Sequence, residues 1–254
     1  MFKAIAHIVW AVDYHIMRKI IIIGATSGIG RELAKIYAGE GNLVGVTGRR
    51  QELLYTLQLE YPNDIITQCF NVTEEDNTLH LESLIRKMGG MDLFVYNAGY
   101  GDISKEPNWN IDHRTVSTNV NGFMEMLHVA YRHFAAQGHG QIAVTSSIAS
   151  ARGSSQAPAY SASKAFQSNY MEGLYILFKK QKRPIYITDI QPGFVDTKMA
   201  RATKTFWMAS PEKAAKQIYN AIEQKKWRVY ITHRWWLIAK IVRWMPDFIY
   251  HRIG

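Results

Sequence analysis

The chain has 254 residues, 47% hydrophobic and 20% charged, which supports a large core and excludes global disorder. Its formal net charge of +9 is uneven, because between residues 225 and 254 seven lysines and arginines face Asp247 alone. One cysteine, Cys69, excludes an intramolecular disulfide framework, and no Cys/His cluster has zinc-ligand spacing, so a reducing, cytoplasmic setting without a metal is expected.

Residues 1–18 read as an N-terminal extension. Ala4 to Val12 is apolar behind Lys3, yet too short to span a bilayer and without a small-x-small cleavage pattern. From Lys19 onward short apolar runs alternate with helical patterns. The runs are Lys19 to Ile23, Leu43 to Thr47, Ile65 to Phe70, Asp92 to Tyr96, Gln141 to Thr145 and Ile185 to Ile190. Helical periodicity covers Ile29 to Ala38, Gln51 to Glu60, Val116 to Ala136 and Tyr160 to Lys180. Strands apolar on both faces and joined by helices predict an α/β fold: a single doubly wound (Rossmann) domain over residues 19–230 with a mostly parallel sheet flanked by helices. Residues 231–254 read as a C-terminal amphipathic helical tail. Cys69, inside an apolar run, is expected in the core.

At the first strand-to-helix junction the sequence GATSGIG supplies Gly24, Gly28 and Gly30. Glycines suit a tight turn there, let the backbone approach a pyrophosphate, and leave a helix N-terminus to meet that anion. The end of the second strand in such folds faces the adenine ribose, where a carboxylate selects a free 2′-hydroxyl. Gly48, Arg49 and Arg50 stand there instead, and guanidinium groups suit a 2′-phosphate. NADP(H) is therefore the expected cofactor.

The sequence YSASK, behind Pro158, places Tyr160 and Lys164 one turn apart on a helix face. Free tyrosine and lysine titrate near pH ~10 and ~10.4, and a cation within about 4–6 Å would draw the phenol down toward neutrality. Alone, the pair also fits a solvated helix.

Together these motifs resemble the short-chain dehydrogenase/reductase family, from about Lys19 to Tyr230. The further signatures are YNAG (Tyr96 to Gly99), STNVNG with Asn119, AVTSS with Ser147, and QPGFVDT with Pro192, Gly193, Val195 and Thr197. The chain departs from the family pattern at Ile23, Tyr96 and Asn71. The resemblance implies a catalytic set of Asn119, Ser147, Tyr160 and Lys164. Tyr160 would exchange the proton with the substrate oxygen, Ser147 would bind that oxygen, Lys164 would lower the phenol's pKa and bind the nicotinamide ribose, and Asn119 would hold a water leading from Lys164 to solvent. It also implies cofactor contacts at Gly24, Thr26, Ser27, Gly28, Ile29, Gly30, Arg49, Arg50, Asn71, Val72, Asn97, Ala98, Gly99, Tyr160, Lys164, Pro192, Gly193, Val195 and Thr197. The activity implied is interconversion of a small-molecule carbonyl and its alcohol, in a homodimer or homotetramer. A non-catalytic dinucleotide sensor or membrane adaptor is the alternative.

His113, His128, His133 and His139 have no triad pattern and read as surface or packing residues, and Asp196 as a local cap or partner of Lys198. In the family the segment after Thr197 is a mobile lid. Its Lys198, Arg201, Lys204, Phe206, Trp207 and Met208 would suit a lipophilic substrate with an acidic group. In the tail, Lys240 and Arg243 share a sector with Trp236, while Leu237, Ile238, Ile241, Val242, Trp244 and Met245 fill the rest of the wheel. A cationic, Trp-rich helix of this kind reads as peripheral to a membrane, with packing on its own domain or on a second subunit as the alternative. No nucleic-acid motif accompanies the basic charge, so a nucleic-acid partner is not expected.

Overall fold

The computed structural model describes residues 17–197 and 207–252. Seven parallel strands form one sheet: β1 (Lys19–Ile23), β2 (Leu43–Gly48), β3 (Ile65–Cys69), β4 (Leu93–Tyr96), β5 (Gly140–Thr145), β6 (Ile185–Pro192) and β7 (Arg228–Ile231). Their order is β3-β2-β1-β4-β5-β6-β7, so the direction of winding reverses between β1 and β4. Ligands of open α/β sheets bind at such a switch point, beyond the carboxyl ends of the strands.

Successive side chains on a strand face opposite sides, and β1 shows the result. Ile20 and Ile22 join one core with helices α1 (Gly28–Gly39), α2 (Gln51–Glu60) and α7 (Pro211–Glu223). Ile21 and Ile23 join the other with α3 (Asn77–Met88), α5 (Gly122–Gln137) and α6 (Pro158–Gln181). All four isoleucines are fully buried, each worth about 1.5–3 kcal/mol over the exposed state.

The long helix predicted from Val116 begins earlier, at α4 (Trp109–Val116). There the Asn108 side chain accepts the Asn110 and Ile111 N–H groups and caps the first turn. A π-helical turn, Ser117–Asn121, joins α4 to α5 without a break. The seventh strand, like β4, has four residues, but it opens on Arg228 behind Lys225 and Lys226 and so shows no clear apolar run.

Three expectations change. Cys69 is exposed rather than in the core, because β3 is an edge strand paired, among the described residues, with β2 alone and Cys69 closes it. Arg18, assigned to the extension, belongs to the domain: its guanidinium pairs with Glu223 of α7 at 2.7 Å and its carbonyl accepts the Leu43 N–H. The expected boundary after residue 230 moves by one residue. β7 runs to Ile231, and α8 (Trp235–Trp244) and α9 (Asp247–Tyr250) follow, with Trp235 and Ala239 buried. The rest of the extension, residues 1–16, lies outside the described residues, as do Lys198, Arg201, Lys204 and Phe206 of the expected lid. Among the described residues no helix is long and apolar enough to cross a membrane.

Candidate active site

The glycine turn is built by close packing that only glycine permits. A Cβ on Gly24, which holds φ +87°, would meet the Ala98 backbone at 2.7 Å. One on Gly30 would stand 2.3 Å from the Gly24 carbonyl oxygen. Asn97 stitches the carboxyl ends of three strands together. Its N–H donates to Ile23 O, its Nδ2 donates to Gly24 O at 3.1 Å, and its Oδ1 accepts the Thr145 hydroxyl at 3.0 Å. Gly99 follows in the same segment. Thr197 sits over the helix start, its Cγ2 3.0 Å from where a Gly28 Cβ would be. Val195 is fixed nearby by a bridge to Ala209, and the Asp196 N–H donates to Ala209 O.

The four residues of the expected catalytic set converge beyond β4 and β5. Ser147, two residues past β5, caps the short 3-10 turn Ile148–Ala151, its hydroxyl accepting the Ala149 N–H at 3.1 Å. Tyr160, in the first turn of α6, shares a side-chain hydrogen bond with Ser147. Lys164, buried one turn on, donates to Thr145 O and to Gln167 Oε1, both at 2.9 Å. Asn119 is fully buried in the π turn. Its carboxamide accepts the Tyr100 N–H at 2.8 Å and donates to Tyr100 O at 2.7 Å and Ser163 Oγ at 2.9 Å. The protein link between Asn119 and Lys164 is Gln167, whose Nε2 donates to Asn119 O at 2.9 Å.

The electrostatics differ from the expectation that Lys164 draws Tyr160 down. Burial raises the Tyr160 phenol above its ordinary range, and the Ser147 hydrogen bond pulls it part of the way back. Lys164, 5.8 Å from the centroid of that ring, is itself lowered to about 7 by burial, with Asp189 acting in the opposite direction. Desolvation thus outweighs the local charge at both groups.

A family model described as short chain dehydrogenase matches residues 18–206. The chain belongs to the short-chain dehydrogenase family. It is similar to an uncharacterized oxidoreductase of Myxococcus xanthus, with 35% identity over 75% of this chain and 77% of that one. An uncharacterized oxidoreductase of Mycobacterium tuberculosis shares 28% identity over 90% of this chain and 92% of that one. The fold also matches a short-chain type dehydrogenase/reductase from Mycobacterium marinum at 22% identity and TM-score 0.77, covering 90% and 96% of the two chains. A 3-ketoacyl-(acyl-carrier-protein) reductase from Brucella melitensis, solved with NADH, matches at 19% identity and TM-score 0.77, covering 85% and 97%. As a short-chain dehydrogenase the protein is an oxidoreductase on a fold that binds a nicotinamide dinucleotide.

The dehydrogenase's own residues fit such a cofactor. Ser27, at the N-cap of α1, makes no side-chain cap, and the first turn, which includes Ile29, carries no acidic residue, so its N–H groups and dipole suit an anion. Arg50 reaches back across the turn to Thr26 Oγ1 at 2.5 Å and Ser27 Oγ at 3.0 Å, while Arg49 is exposed beside it. A side chain on Gly48 would strike Thr26 Cγ2 at 2.4 Å. Asn71 spends its groups locally, its N–H donating to Glu74 and its Oδ1 accepting the Thr73 N–H, and buried Val72 packs on Gly122. On the far side of the dehydrogenase's cleft the Pro192–Gly193 segment ends β6, and the Trp235 indole lies on Gly193, 2.2 Å from where a Cβ would be.

Several supporting residues escaped the sequence reading. Asp189, fully buried in β6, accepts Ser146 Oγ at 2.5 Å on one oxygen, and Ser168 Oγ, Gln191 Nε2 and Arg228 Nε at 2.7–3.0 Å on the other. It thereby anchors the neighbour of Ser147. A lone carboxylate inside a strand-like run was the available signal. Gln167 stands at i+3 from Lys164, a contact spacing that the sequence displays. The four histidines lie apart from this cluster: His113 packs on Trp109 and His128 bonds Tyr170.

Proposed function

We propose that this protein is an NADP(H)-dependent oxidoreductase that interconverts a carbonyl and an alcohol on a lipophilic substrate, with Tyr160 as the acid/base. The observation that carries this reading is the convergence of Ser147, Tyr160 and Lys164 at the carboxyl ends of the strands, beside the glycine turn. The dinucleotide supplies or accepts the hydride when bound. In the reductive direction Tyr160, kept protonated by burial, gives its phenolic proton to the substrate oxygen, which Ser147 holds by its hydroxyl. Lys164 titrates near neutrality, so it can take up and release protons at working pH and restore the phenol. Gln167 and Asn119 hold it in place.

The preference for NADP(H) is supported by Arg49 and Arg50, and by the absence of a carboxylate at the end of β2. Half-exposed Trp207 and Met208 beside the cleft favour a lipophilic substrate. Exposed Ile176 and Leu177 on α6 suit a homodimer or homotetramer contact. The cytoplasm, with peripheral membrane contact through α8, is the setting that fits.

Tyr160→Phe tests the chemistry. Fluorescence titration should show NADPH binding retained while turnover of a ketone and aldehyde panel falls at least ~100-fold. Unchanged turnover would remove Tyr160 from the reaction. Loss of NADPH affinity relative to NADH in Arg50→Asp tests the cofactor preference.

A further inference from the structure

The tail is fastened to two segments that flank the candidate site, one after β6 and one after Ser147. Trp235, 2% exposed, covers Gly193 and makes edge contacts with Phe194 and Trp207. At the other end Arg152, five residues after Ser147, donates to Met245 O at 2.9 Å and to the Asp247 carboxylate at 2.7 Å. The Tyr250 hydroxyl donates to Gly153 O at 2.6 Å. The helices α8 and α9 therefore run from the end of β6 to the segment that follows the candidate catalytic serine.

Their outward side is apolar where a surface helix is ordinarily polar. Leu237, Ile241 and Trp244 follow at i, i+4 and i+7 and form one ridge, with Leu237 54% and Trp244 81% exposed. Phe248 of α9 continues it, 69% exposed. Cations flank the ridge: Lys240 lies over the Trp236 ring at 4.8 Å, Arg243 is one turn on, and Arg234 lies over Trp207 at 5.9 Å. The one carboxylate of residues 231–252, Asp247, is already held by Arg152. The outer face is thus an apolar ridge with positive edges. A bilayer with anionic headgroups complements it: aliphatic side chains reach the acyl boundary, indoles sit at headgroup level, and Lys and Arg extend to the phosphates.

We infer that the outer face of α8 and α9 docks on an anionic phospholipid surface and holds the mouth of the site against the bilayer, so that the enzyme draws its carbonyl substrate from the membrane. The docking half stands on the tail alone. The delivery half rests on the function proposed above, and its substrate class is a long-chain or otherwise membrane-dissolved aldehyde or ketone.

The test uses the full chain with vesicles of phosphatidylcholine alone and vesicles containing about 30 mol% phosphatidylserine, scored by co-sedimentation. Binding should be at least tenfold stronger to the anionic vesicles. Lys240→Ala with Arg243→Ala should weaken it roughly 25-fold, at about fivefold per cation. Trp244→Glu should abolish binding, and because Trp244 is so exposed, circular dichroism should show an unchanged fold. A parent protein that stays in the supernatant, or a Trp244→Glu protein that still pellets, overturns the docking. So does a concentration-dependent dimer that Trp244→Glu dissolves without any vesicle binding, which would assign the face to a second copy. For delivery, NADPH oxidation is followed with a short water-soluble aldehyde and with a long-chain aldehyde dissolved in the anionic vesicles. Trp244→Glu should keep the soluble rate and lose at least about fivefold on the vesicle-borne substrate. Equal loss on both, or none, overturns delivery. Inactivity of the parent with both aldehydes counts against the proposed function and against delivery, while the sedimentation result still decides docking.

Discussion

Gly101 lies between β4 and α4, flat against the candidate acid. A Cβ built on it would stand 2.3 Å from Tyr160 Cδ2 and 2.9 Å from Cγ and Cε2. Its backbone is not in the left-handed region, so Gly101→Ala carries no backbone penalty and the whole conflict falls on the contact. Carbon atoms rest comfortably at about 3.5 Å or more, so ring and loop together must part by about 1.2 Å. If the loop absorbs half of that, the phenol is still displaced by more than about 0.5 Å from its bond to Ser147. A shift of about 1 Å costs a reacting group roughly 100-fold, so kcat/KM in carbonyl reduction should fall between about tenfold and 100-fold, or about 1.4–2.7 kcal/mol. Steady-state NADPH oxidation measures the loss, and NADPH fluorescence titration should show cofactor affinity unchanged, since the glycine turn is untouched. A variant with activity within twofold of the parent would refute the claim that this contact sets the position of Tyr160.

Other consequences follow from the buried polar groups. Gln167→Leu removes one acceptor from the Lys164 ammonium and should shift the rate limb governed by Lys164 to lower pH, whereas Gln167→Glu should shift it to higher pH; both variants also lose the bond to Asn119 O and should unfold at lower temperature, so the opposite directions of the two pH–rate shifts, rather than the thermal midpoints, separate positioning from a structural effect. The lowered Lys164 pKa, about 7, lies below the unfolded value near ~10.4. Between the two the unfolded chain holds a proton that the folded chain does not, so this group makes stability rise with pH by at most about 1.4 kcal/mol per unit across that window. Lys164→Met should flatten that rise, read as urea midpoints near neutral pH and about two units above it. Arg228→Leu leaves the buried Asp189 carboxylate without its cation and should cost about 3 kcal/mol in urea unfolding.

The glycine turn and the order of strands and helices were legible because they rest on local geometry and alternation, as the split of β1 between two cores illustrates. Cys69 was misplaced because apolar context says nothing about whether a strand is central or at an edge. β7 opens on Arg228 in a basic stretch, which hid it, whereas β4 of the same length is apolar throughout. The tail's wheel separated cations from apolar residues, yet the inward contact is made by Trp235 and Ala239, a choice set by the shape of the Gly193 segment. The relation of Tyr160 to Lys164 was visible as spacing, whereas the desolvation that dominates both depends on burial no local pattern reports. Asp189 and Arg228 lie 39 residues apart and met only when β6 and β7 paired.

The π turn at Ser117–Asn121 gives the long helix something like a reading frame. Its extra residue offsets α4 from α5 by about 100° about the axis, so the continuous helix meets α6 alone through α4, and through α5 meets both α6, at Phe123 and Tyr131, and α3. Deleting Ser117 or Val120 would leave composition, hydrophobicity and helix propensity almost unchanged. It would nevertheless rotate the first two turns out of phase and carry the Asn119 carboxamide off Tyr100, so the site depends on the length of this stretch as well as on the identity of Asn119.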